Sequence, residues 1–415
     1  MIMNDLQAIA TAVTRFGTHS LIEQSCPSCG TFPLRGFYAV RGVPVNTNAL
    51  LSSRSEAINI QRGDIHLAYC WKCGFVTNVS YIQTAGQPTA GRNDPEESSE
   101  INKGFQSKLA RYIFDNFNLR KKKIVDIGGG DSGFLRTICE LGKCEGIKFD
   151  PDGLSGNEPP GSSVEIRTVI EEFSDMHADV LADFYICRLK LEHVKQVKDY
   201  IRMVRKAVGD RPKPAVFFQL PEMFRTLREL AFWDIYYEHC SYFSAGSLGR
   251  LFRACGFDVL DLWTDFDGQY LMAEVRPGVS GPLVPPLPQE NDLQQLLPLA
   301  GYFSQAIKQK VSGWRERLQE FHRKGLKVVL WGGGSKAAAF LSVLGITEEI
   351  QYVVDMRPVN QNLYIPGTGQ QVVQPAFLKD DPPDVVVVMN PAYLEEIRKT
   401  LISMNLSPDF INVNS

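Results

Sequence analysis

Four cysteines near the start of the chain constrain its folding more than any other feature. They form two Cys-x-x-Cys pairs, Cys26 with Cys29 and Cys70 with Cys73, and a glycine directly follows each pair. This spacing lets two thiolates reach one ion, and the glycine lets the backbone curl under the sulfurs. Two such loops close a tetrahedral shell of four sulfurs without an open position. The pattern therefore predicts a structural Zn²⁺ site.

Disulfides, or four unrelated thiols, are the alternative interpretation of these cysteines. The N-terminal stretch lacks the charged and apolar segments of a secretory signal. The chain also carries five further scattered cysteines, as is typical of a reducing compartment: Cys139, Cys144, Cys187, Cys240 and Cys255. Both observations favour zinc over disulfides.

Composition excludes several classes of protein. A chain of 415 residues with 44% apolar content can build two or three cores. A net charge of -3 disfavours a dedicated nucleic-acid binder, which would present a basic face. The sequence has no run of about 18 apolar residues, so we expect no membrane span. We therefore predict a soluble, cytoplasmic protein.

Two breaks divide the chain into three predicted domains. Residues 83–103 are polar and rich in Gly, Pro, Ser and Glu, which is typical of a loop. Residues 276–292 contain five prolines and two glycines, and this density favours an extended linker. We predict an N-terminal zinc-binding domain at 1–85, a central domain at 86–275 and a C-terminal α/β domain at 276–415.

The central domain begins with a pattern typical of nucleoside-binding sheets. A predicted strand at 123–127 leads into a glycine-rich turn containing Gly128, Gly130 and Asp131, and a predicted helix follows. A second predicted strand ends in Asp150, about 20 residues beyond the first glycines, where an acid can accept hydrogen bonds from both ribose hydroxyls. The alternative interpretation is that these glycines only allow the helix to pack tightly against the strand.

Asp126 distinguishes between possible ligands of this turn. A carboxylate just before the glycines would repel a dinucleotide's pyrophosphate. The same carboxylate can receive the ammonium group of S-adenosylmethionine. The charge therefore favours S-adenosylmethionine over NAD in the central domain.

The C-terminal domain repeats the pattern of strand, glycines and helix. A predicted strand at 326–331 leads to Gly332, Gly334 and Lys336, and later predicted strands lie at 350–355 and 385–388. Their unbroken valine runs indicate a sheet buried on both faces. The turn could hold a phosphate at the helix start near Lys336. Equally, this sheet could serve only as one wall of a cleft.

Ionisable and aromatic residues cluster at 233–244, between the two predicted sheets. His239 stands beside Tyr236, Tyr237 and Glu238, and His193 follows another predicted strand, 183–187. A histidine can remove a proton next to a carbonyl, and tyrosines can hold an enolate oxygen. Residue type alone slightly favours a structural role for His239, and His193 could simply be a satisfied histidine at a helix start.

These motifs together resemble the bacterial sugar C-methyltransferases, which methylate nucleotide-linked keto-deoxysugars with S-adenosylmethionine. The likeness covers all three predicted domains. It is carried by both cysteine pairs with the stretch 43–57, by the turn 126–135, by Asp150-Pro151, by 188–194, by Tyr236-Tyr237-Glu238-His239 with Ser241-Tyr242-Phe243-Ser244, by 332–336, and by 364–368.

The resemblance implies a fold and a set of site residues. The fold is α/β, with a small zinc-binding module, a central Rossmann-like class I methyltransferase domain and a second Rossmann-like domain. His239 is the implied general base, oriented by Glu238 and supported by Tyr236 and His193. The resulting enolate attacks the methyl sulfonium. The implied acceptor-binding residues are Gly332, Gly334, Lys336 and Tyr364.

The chain departs from the family around the acceptor and not around the donor. Leu189 and Tyr237 stand where the family carries histidines, Tyr81 only partly replaces a family tyrosine, and Met389-Asn390-Pro391 replaces a tryptophan-containing stretch. Three alternatives therefore remain: methylation of oxygen or nitrogen in another polar acceptor, an NAD(P)-linked sugar-nucleotide oxidoreductase, and a non-catalytic nucleotide-binding regulator. Ala337 occupies the third glycine position that an NAD(P) loop would need.

Overall fold

The computed structural model describes residues 20–82, 99–129, 132–151, 153, 164–177, 179–211, 214–278 and 284–415. Residues 83–98 of the polar loop predicted at 83–103, and residues 279–283 of the linker predicted at 276–292, lie outside these ranges. The end of the predicted loop is corrected, because Ser99 caps a helix that begins at Glu100. The N-terminal region folds as antiparallel strands with one short helix. Its elements are β1 (Ser20–Ile22), β2 (Leu34–Pro44), α1 (Arg54–Ile58), β3 (Arg62–Tyr69) and β4 (Val76–Asn78).

The central region alternates strands and helices, as its apolar periodicity predicts. Its elements are α2 (Glu100–Asn116), β5 (Lys123–Asp126), α3 (Gly133–Gly142), β6 (Glu145–Phe149), β7 (Ile166–Val169), β8 (Phe184–Arg188), α4 (Val197–Val208), β9 (Ala215–Pro221), α5 (Met223–Arg228), β10 (Ser241–Tyr242), α6 (Ala245–Ala254), β11 (Phe257–Asp265) and β12 (Tyr270–Pro277). Seven of these strands form one sheet in the order β11-β12-β9-β8-β5-β6-β7.

The strand order of the central sheet creates a ligand crevice. The chain runs outward from β5 through β6 to β7, then returns to the other side of β5 and continues through β8 to β9, all in parallel. The final strand β12 is antiparallel to its neighbours. In such a sheet, ligands bind at the carboxyl ends of the strands where the order reverses, here between β5 and β8.

The C-terminal region forms a second doubly wound sheet. Five parallel strands adopt the order β15-β14-β13-β16-β17, and the order reverses between β13 and β16. Its elements are α7 (Leu293–Arg323), β13 (Val328–Trp331), α8 (Ser335–Leu344), β14 (Tyr352–Val354), β15 (Gln371–Val373), β16 (Val385–Val388), α9 (Leu394–Ser403) and β17 (Asp409–Asn412). The predicted α/β class with two Rossmann-like sheets is thereby confirmed.

One strand crosses the predicted boundary between the first two domains. The short strand β10 pairs with β4, and Ser241 lies opposite Thr77. The N-terminal sheet therefore has five strands, of which one comes from a segment outside 1–85. A continuous hydrophobic core then joins this sheet to α7 and to the C-terminal sheet. The rings of Tyr38 and Phe303 meet edge to face across that seam, 5.2 Å apart. Within the described ranges, no helix is long and apolar enough to cross a membrane.

Candidate functional site

The two cysteine loops lie side by side because β2 and β3 pair in register. Cys29 lies shortly before β2, Cys70 directly follows β3, and the pairing of Arg35 with Tyr69 brings these two strand ends together. Both loops close in the same way, with Gly30 N–H donating to Cys26 O and Gly74 N–H donating to Cys70 O. All four sulfurs lie within 4.8 Å of one another. They are the four predicted metal ligands: Cys26, Cys29, Cys70 and Cys73.

The turn after β5 brings the predicted donor-binding residues to the crevice of the central sheet. Asp126 is buried, and its carboxylate accepts a hydrogen bond of 2.8 Å from Gly128 N–H. A Cβ on Gly128 would lie only 2.6 Å from the carbonyl oxygen of Arg188, so this position must be glycine for β5 and β8 to approach. The predictions for Gly130 and Asp131 fall outside the described residues.

Asp150 follows β6 at the same edge of the central sheet. Its carboxylate lies 3.5 Å from the ammonium of Lys148, and both side chains are almost fully buried. A buried carboxylate needs such a partner, because transfer of a lone charge out of water is costly. The sequence analysis did not identify Lys148 as a neighbour of the predicted ribose-binding acid.

The pairing of β10 with β4 fixes the position of His239. His239 precedes this strand by two residues, and Cys240 O accepts a hydrogen bond from Asn78 N–H of the N-terminal region. The imidazole is 9% exposed and lies against two other predicted site residues. Its ring centroid is 4.6 Å from that of Tyr236 and 4.9 Å from that of His193. The structure thus brings Tyr236, His193 and His239 together.

Glu238 occupies a different place from the one that the resemblance implies. Its buried carboxylate accepts hydrogen bonds from the backbone N–H and the hydroxyl of Thr47, in the N-terminal region. Burial raises the pKa of Glu238 to about 7, while the Thr47 N–H opposes that rise. These contacts point the carboxylate at Thr47. They do not orient the His239 ring, so the expected orienting contact is corrected here.

His193 contacts the backbone of the same segment. Its Nδ1 lies 3.1 Å from Glu238 O, and a carbonyl oxygen can only accept, so Nδ1 carries the proton. Burial lowers the pKa of His193 to about 4, although this hydrogen bond opposes the shift. Burial also holds the pKa of His239 well below its usual value, and His193 and Lys336 add to the effect. Both rings are therefore neutral near pH 7.

Lys336, from the C-terminal region, contacts the segment 233–244 that contains His239. Its ammonium is 3.0 Å from a carboxylate oxygen of Asp234, and it donates a hydrogen bond of 3.0 Å to Gln269. Asp234 also accepts a hydrogen bond of 3.3 Å from the hydroxyl of Tyr236. Lys336 is thus held by partners within the protein, and its charge is already balanced. The prediction that Lys336 helps to bind the acceptor stays a prediction, in which a phosphate would share this ammonium with Asp234.

A cleft with a cavity volume of about 100 Å³ lies over the carboxyl ends of the C-terminal strands. Gly332, Gly334 and Lys336 line it, as expected for acceptor-binding residues, together with Asp355 and Asn390. Asp355 is buried at the end of β14, and its carboxylate accepts a hydrogen bond from Gly333 N–H. The cleft therefore sits where the order of this second sheet reverses.

Tyr364, the fourth predicted acceptor-binding residue, lies elsewhere. Its backbone exchanges two hydrogen bonds with Leu51, of 3.0 and 2.8 Å. The next turn of chain docks on the same region, because Gly367 N–H donates to Ala57 O. Tyr364 is not among the residues that line the cleft. Its observed contacts hold the C-terminal domain against the N-terminal region.

Sequence reasoning missed three residues that contact the candidate site: Thr47, Asp234 and Glu192. Thr47 is bound to Glu238 through a long-range contact that leaves no local pattern, whereas Asp234 lies within the cluster 233–244 and accepts a hydrogen bond from Tyr236. Glu192 did have a local signal, because an acid directly before a histidine after a buried strand faces the same crevice.

Two protein families match successive parts of the chain. Residues 100–262 match a family described as a methyltransferase domain. Residues 288–406 match a family described as a C-methyltransferase C-terminal domain. The first match covers most of the central sheet, and the second covers four of the five strands of the C-terminal sheet and most residues that line its cleft.

Among curated proteins, the chain is similar to the C-methyltransferase NovU of Streptomyces niveus. The two are 25% identical over 247 residues, which is 58% of this chain and 57% of NovU. The chain therefore matches a little over half the length of this relative.

Two solved methyltransferase structures each match less than half of the chain. CalO1, a methyltransferase of calicheamicin biosynthesis in its SAH-bound form, is 16% identical and covers 45% of this chain and 59% of its own, with a TM-score of 0.32. A methyltransferase from Clostridium acetobutylicum is 12% identical over 44% of this chain and 93% of its own, with a TM-score of 0.34. The fold assignment rests on the strand order of this chain.

Proposed function

We propose that the chain is an S-adenosylmethionine-dependent C-methyltransferase and that it methylates a carbon of a nucleotide-linked keto-deoxysugar. One observation carries the proposal. His239 lies where all three regions meet, in ring contact with His193 and Tyr236. Tyr236 is linked through Asp234 to Lys336 at the mouth of the C-terminal cleft. Side-chain contacts thus connect the proposed base to the carboxyl edge of the central sheet through His193 and to the C-terminal cleft through Lys336.

The donor crevice fits S-adenosylmethionine. Asp126 offers a carboxylate for the donor's ammonium, Gly128 lets β5 and β8 approach each other at this crevice, and Asp150 offers a carboxylate for the ribose hydroxyls. When bound, this cosubstrate supplies an electrophilic methyl group on a positively charged sulfur. The protein then has to hold an acceptor carbon in line with that methyl group and remove a proton from the carbon.

We assign proton removal to His239, with Tyr236 and His193 as supporting groups. The ring of His239 is neutral, so it has a lone pair for the proton of a carbon beside a keto group. The hydroxyl of Tyr236 lies beside this ring and can donate to the developing enolate oxygen. The C–H electron pair enters the enolate, and the enolate carbon then takes the methyl group.

The C-terminal cleft is the proposed site of the nucleotide portion. Gly332 and Gly334 expose the backbone at the start of α8, where backbone N–H groups favour a phosphate. Apolar side chains such as Trp331 and Met389 line the same cleft and can cover the base of a nucleotide.

We also propose that the chain divides into three domains, at 1–85, 86–275 and 276–415. Strand β10 lies within the second range of the sequence but pairs with the N-terminal sheet.

We propose that the four cysteines hold a structural Zn²⁺. Sulfurs that sit about 2.3 Å from a tetrahedral Zn²⁺ lie roughly 3.8 Å from one another. The distances here are 3.6 Å between the sulfurs of Cys26 and Cys73, and 3.5 Å between those of Cys29 and Cys70. The sulfur shell therefore has the right size, and the metal would brace the sheet to which β10 pairs.

Product analysis tests the proposed function. The protein is incubated with S-adenosylmethionine carrying a ¹³C methyl group and with a panel of nucleotide-linked keto-deoxysugars. We expect a product whose labelled methyl carbon shows a scalar coupling to a ring carbon and the chemical shift of a C-methyl group. A label bound to oxygen or nitrogen would replace the proposal with heteroatom methylation, and NADH consumption without methyl transfer would replace it with redox chemistry.

A further inference from the structure

Glu192 is a buried carboxyl group that the proposed mechanism does not use. It lies in a short 3-10 helix, Leu191–His193, just beyond β8, and is 3% exposed. One of its carboxylate oxygens and one ring nitrogen each of His193 and His239 lie within 4.8 Å of one another. Within the described part of the chain, two buried polar atoms of this cluster have no hydrogen-bond partner: Glu192 Oε2 and His239 Nδ1.

The contacts of His193 determine which hydrogen-bond donors remain available to Glu192. Nδ1 of His193 donates to Glu238 O, so Nε2 of this neutral ring carries no proton and cannot donate to a carboxylate. For an ionised Glu192, the donor that remains within this cluster is therefore the Nδ1–H tautomer of His239. The Glu238 carboxylate is unavailable for this purpose because it is bonded to Thr47.

We propose that the ionisation of Glu192 decides which nitrogen of His239 carries the proton, and thereby switches His239 between base and non-base. This inference rests on the proposed function, in which His239 is the base. Ionised Glu192 accepts from Nδ1–H, so the lone pair of Nε2 is free for the acceptor. Protonated Glu192 donates its O–H to Nδ1, so the ring proton sits on Nε2 and blocks the base.

The same carboxylate explains how so buried a histidine can accept a proton. Burial disfavours an imidazolium at His239, and nearby His193 and Lys336 disfavour it further. When the acceptor C–H bond breaks, its electrons enter the enolate and its proton goes to Nε2. The resulting imidazolium then lies beside a carboxylate that balances its charge. Methyl transfer next breaks the S–CH₃ bond, whose electrons stay on a neutral sulfur.

The charged and titratable surroundings place this switch near neutral pH. Burial raises the pKa of Glu192 to about 8, against the opposing effect of Lys190. The charge of Lys190 is balanced by Glu172 at 2.9 Å, and that of Lys336 by Asp234 at 3.0 Å. The charge of Glu192 also acts on two further titratable groups, which are the thiols of Cys187 and Cys240. Burial raises the pKa of each thiol to about 12, so both stay neutral across this range.

Histidine ¹⁵N NMR observes the proton directly and needs no acceptor. The chain has only six histidines, so the spectrum of histidine-labelled protein is simple, and the His239→Ala variant assigns the signals of His239. In the wild type we expect the proton on Nε2 at pH 6.5 and on Nδ1 at pH 9.5, with a midpoint near pH 8. In Glu192→Gln we expect no pH-dependent exchange of the two tautomers.

A matched control separates Glu192 from buried carboxyls in general. Glu274 is also 3% exposed, and burial raises its pKa to about 7, but it contacts Asn116 on α2 and not the histidines. Glu274→Gln should keep the tautomer switch. A wild-type His239 tautomer that does not change with pH would overturn the inference, and so would a switch that persists in folded Glu192→Gln.

The pH dependence of turnover gives a second, independent readout. We expect kcat to rise with pH through about 8 in the wild type, and to fall about 10-fold or more in Glu192→Gln with loss of that rise. Glu192→Asp, which keeps a carboxylate, should regain part of kcat and the rise. If the tautomer switches but no acceptor is methylated, the proposed function fails and the switch stands. Methylation with a flat pH profile would contradict the switch alone.

Discussion

The carboxylate of Glu238 is bound by Thr47, a residue 191 positions earlier in the chain. The Thr47 hydroxyl lies 3.0 Å from Oε1, and the backbone N–H of Thr47 donates to the same oxygen. The next residue, Asn48, accepts a hydrogen bond from Ser335 at the start of α8. Two adjacent residues of the N-terminal region thus bond to Glu238, beside the proposed base, and to Ser335, directly after the C-terminal glycine turn.

Thr47→Val tests how much this contact stabilises the site. The variant keeps the shape and the backbone N–H but loses the hydroxyl, and we expect the free energy of unfolding to fall by about 1–3 kcal/mol. Chemical denaturation measures this change, and Thr47→Ser, which keeps a hydroxyl, is the control. An equal loss in both variants would show that the hydroxyl is not the cause.

The stability lost in Thr47→Val should depend on pH. The folded-state pKa of Glu238 is raised from 4.5 to about 7, so the folded protein loses stability as pH rises through that window. Loss of the hydroxyl raises this pKa further, and the decline then continues to higher pH. The deficit of Thr47→Val should therefore be larger at pH 8.5 than at pH 5.5. A deficit that shrinks with pH would contradict the assignment.

His239→Ala tests the proposed base. We expect methyl transfer to fall by about 10²–10⁴-fold, while the affinity for S-adenosylhomocysteine stays unchanged, because the imidazole acts on the acceptor. Single-turnover kinetics and calorimetry measure the two quantities. The exposed His322 at the end of α7 is a matched control, and His322→Ala should retain full activity. Substantial methyl transfer by His239→Ala would remove this role from His239.

Cys70→Ala tests the metal site. Loss of one of four sulfur ligands should lower the zinc content measured by mass spectrometry to background and lower the melting temperature. The control is Cys255→Ala, because Cys255 is a buried cysteine outside the cluster. This variant should keep its zinc. If the wild-type protein purified without metal has the same melting temperature as the zinc-loaded protein, the zinc is not structural.

The strands of both Rossmann-like sheets were predictable because their signals are local. Short apolar runs predicted strands at 123–127, before a glycine turn, and at 385–388, and the structure has strands at Lys123–Asp126 and Val385–Val388. The cysteine loops were predictable for a related reason, since two ligands and a glycine within five residues form one turn.

Contacts between distant segments could not be predicted in this way. The pairing of β10 with β4, the bond from Thr47 to Glu238 and the bridge between Leu51 and Tyr364 depend on how the three regions pack. Residue type at 236–239 indicated a site, but it did not show which side chain each carboxylate would meet. The proximity of Glu192 to His193 and His239 became visible only in three dimensions.

Calorimetric titration with S-adenosylmethionine and S-adenosylhomocysteine, on zinc-assayed protein and beside NADH, tests the central claim most directly. The account predicts micromolar binding of both adenosyl ligands and no binding of NADH. It also predicts that Asp150→Ala abolishes this binding. Asp355→Ala should preserve it, because Asp355 holds the corresponding place after the second strand of the C-terminal sheet. Binding of NADH without the adenosyl ligands, or adenosyl binding lost only in Asp355→Ala, would contradict the assignment of the central crevice to the methyl donor.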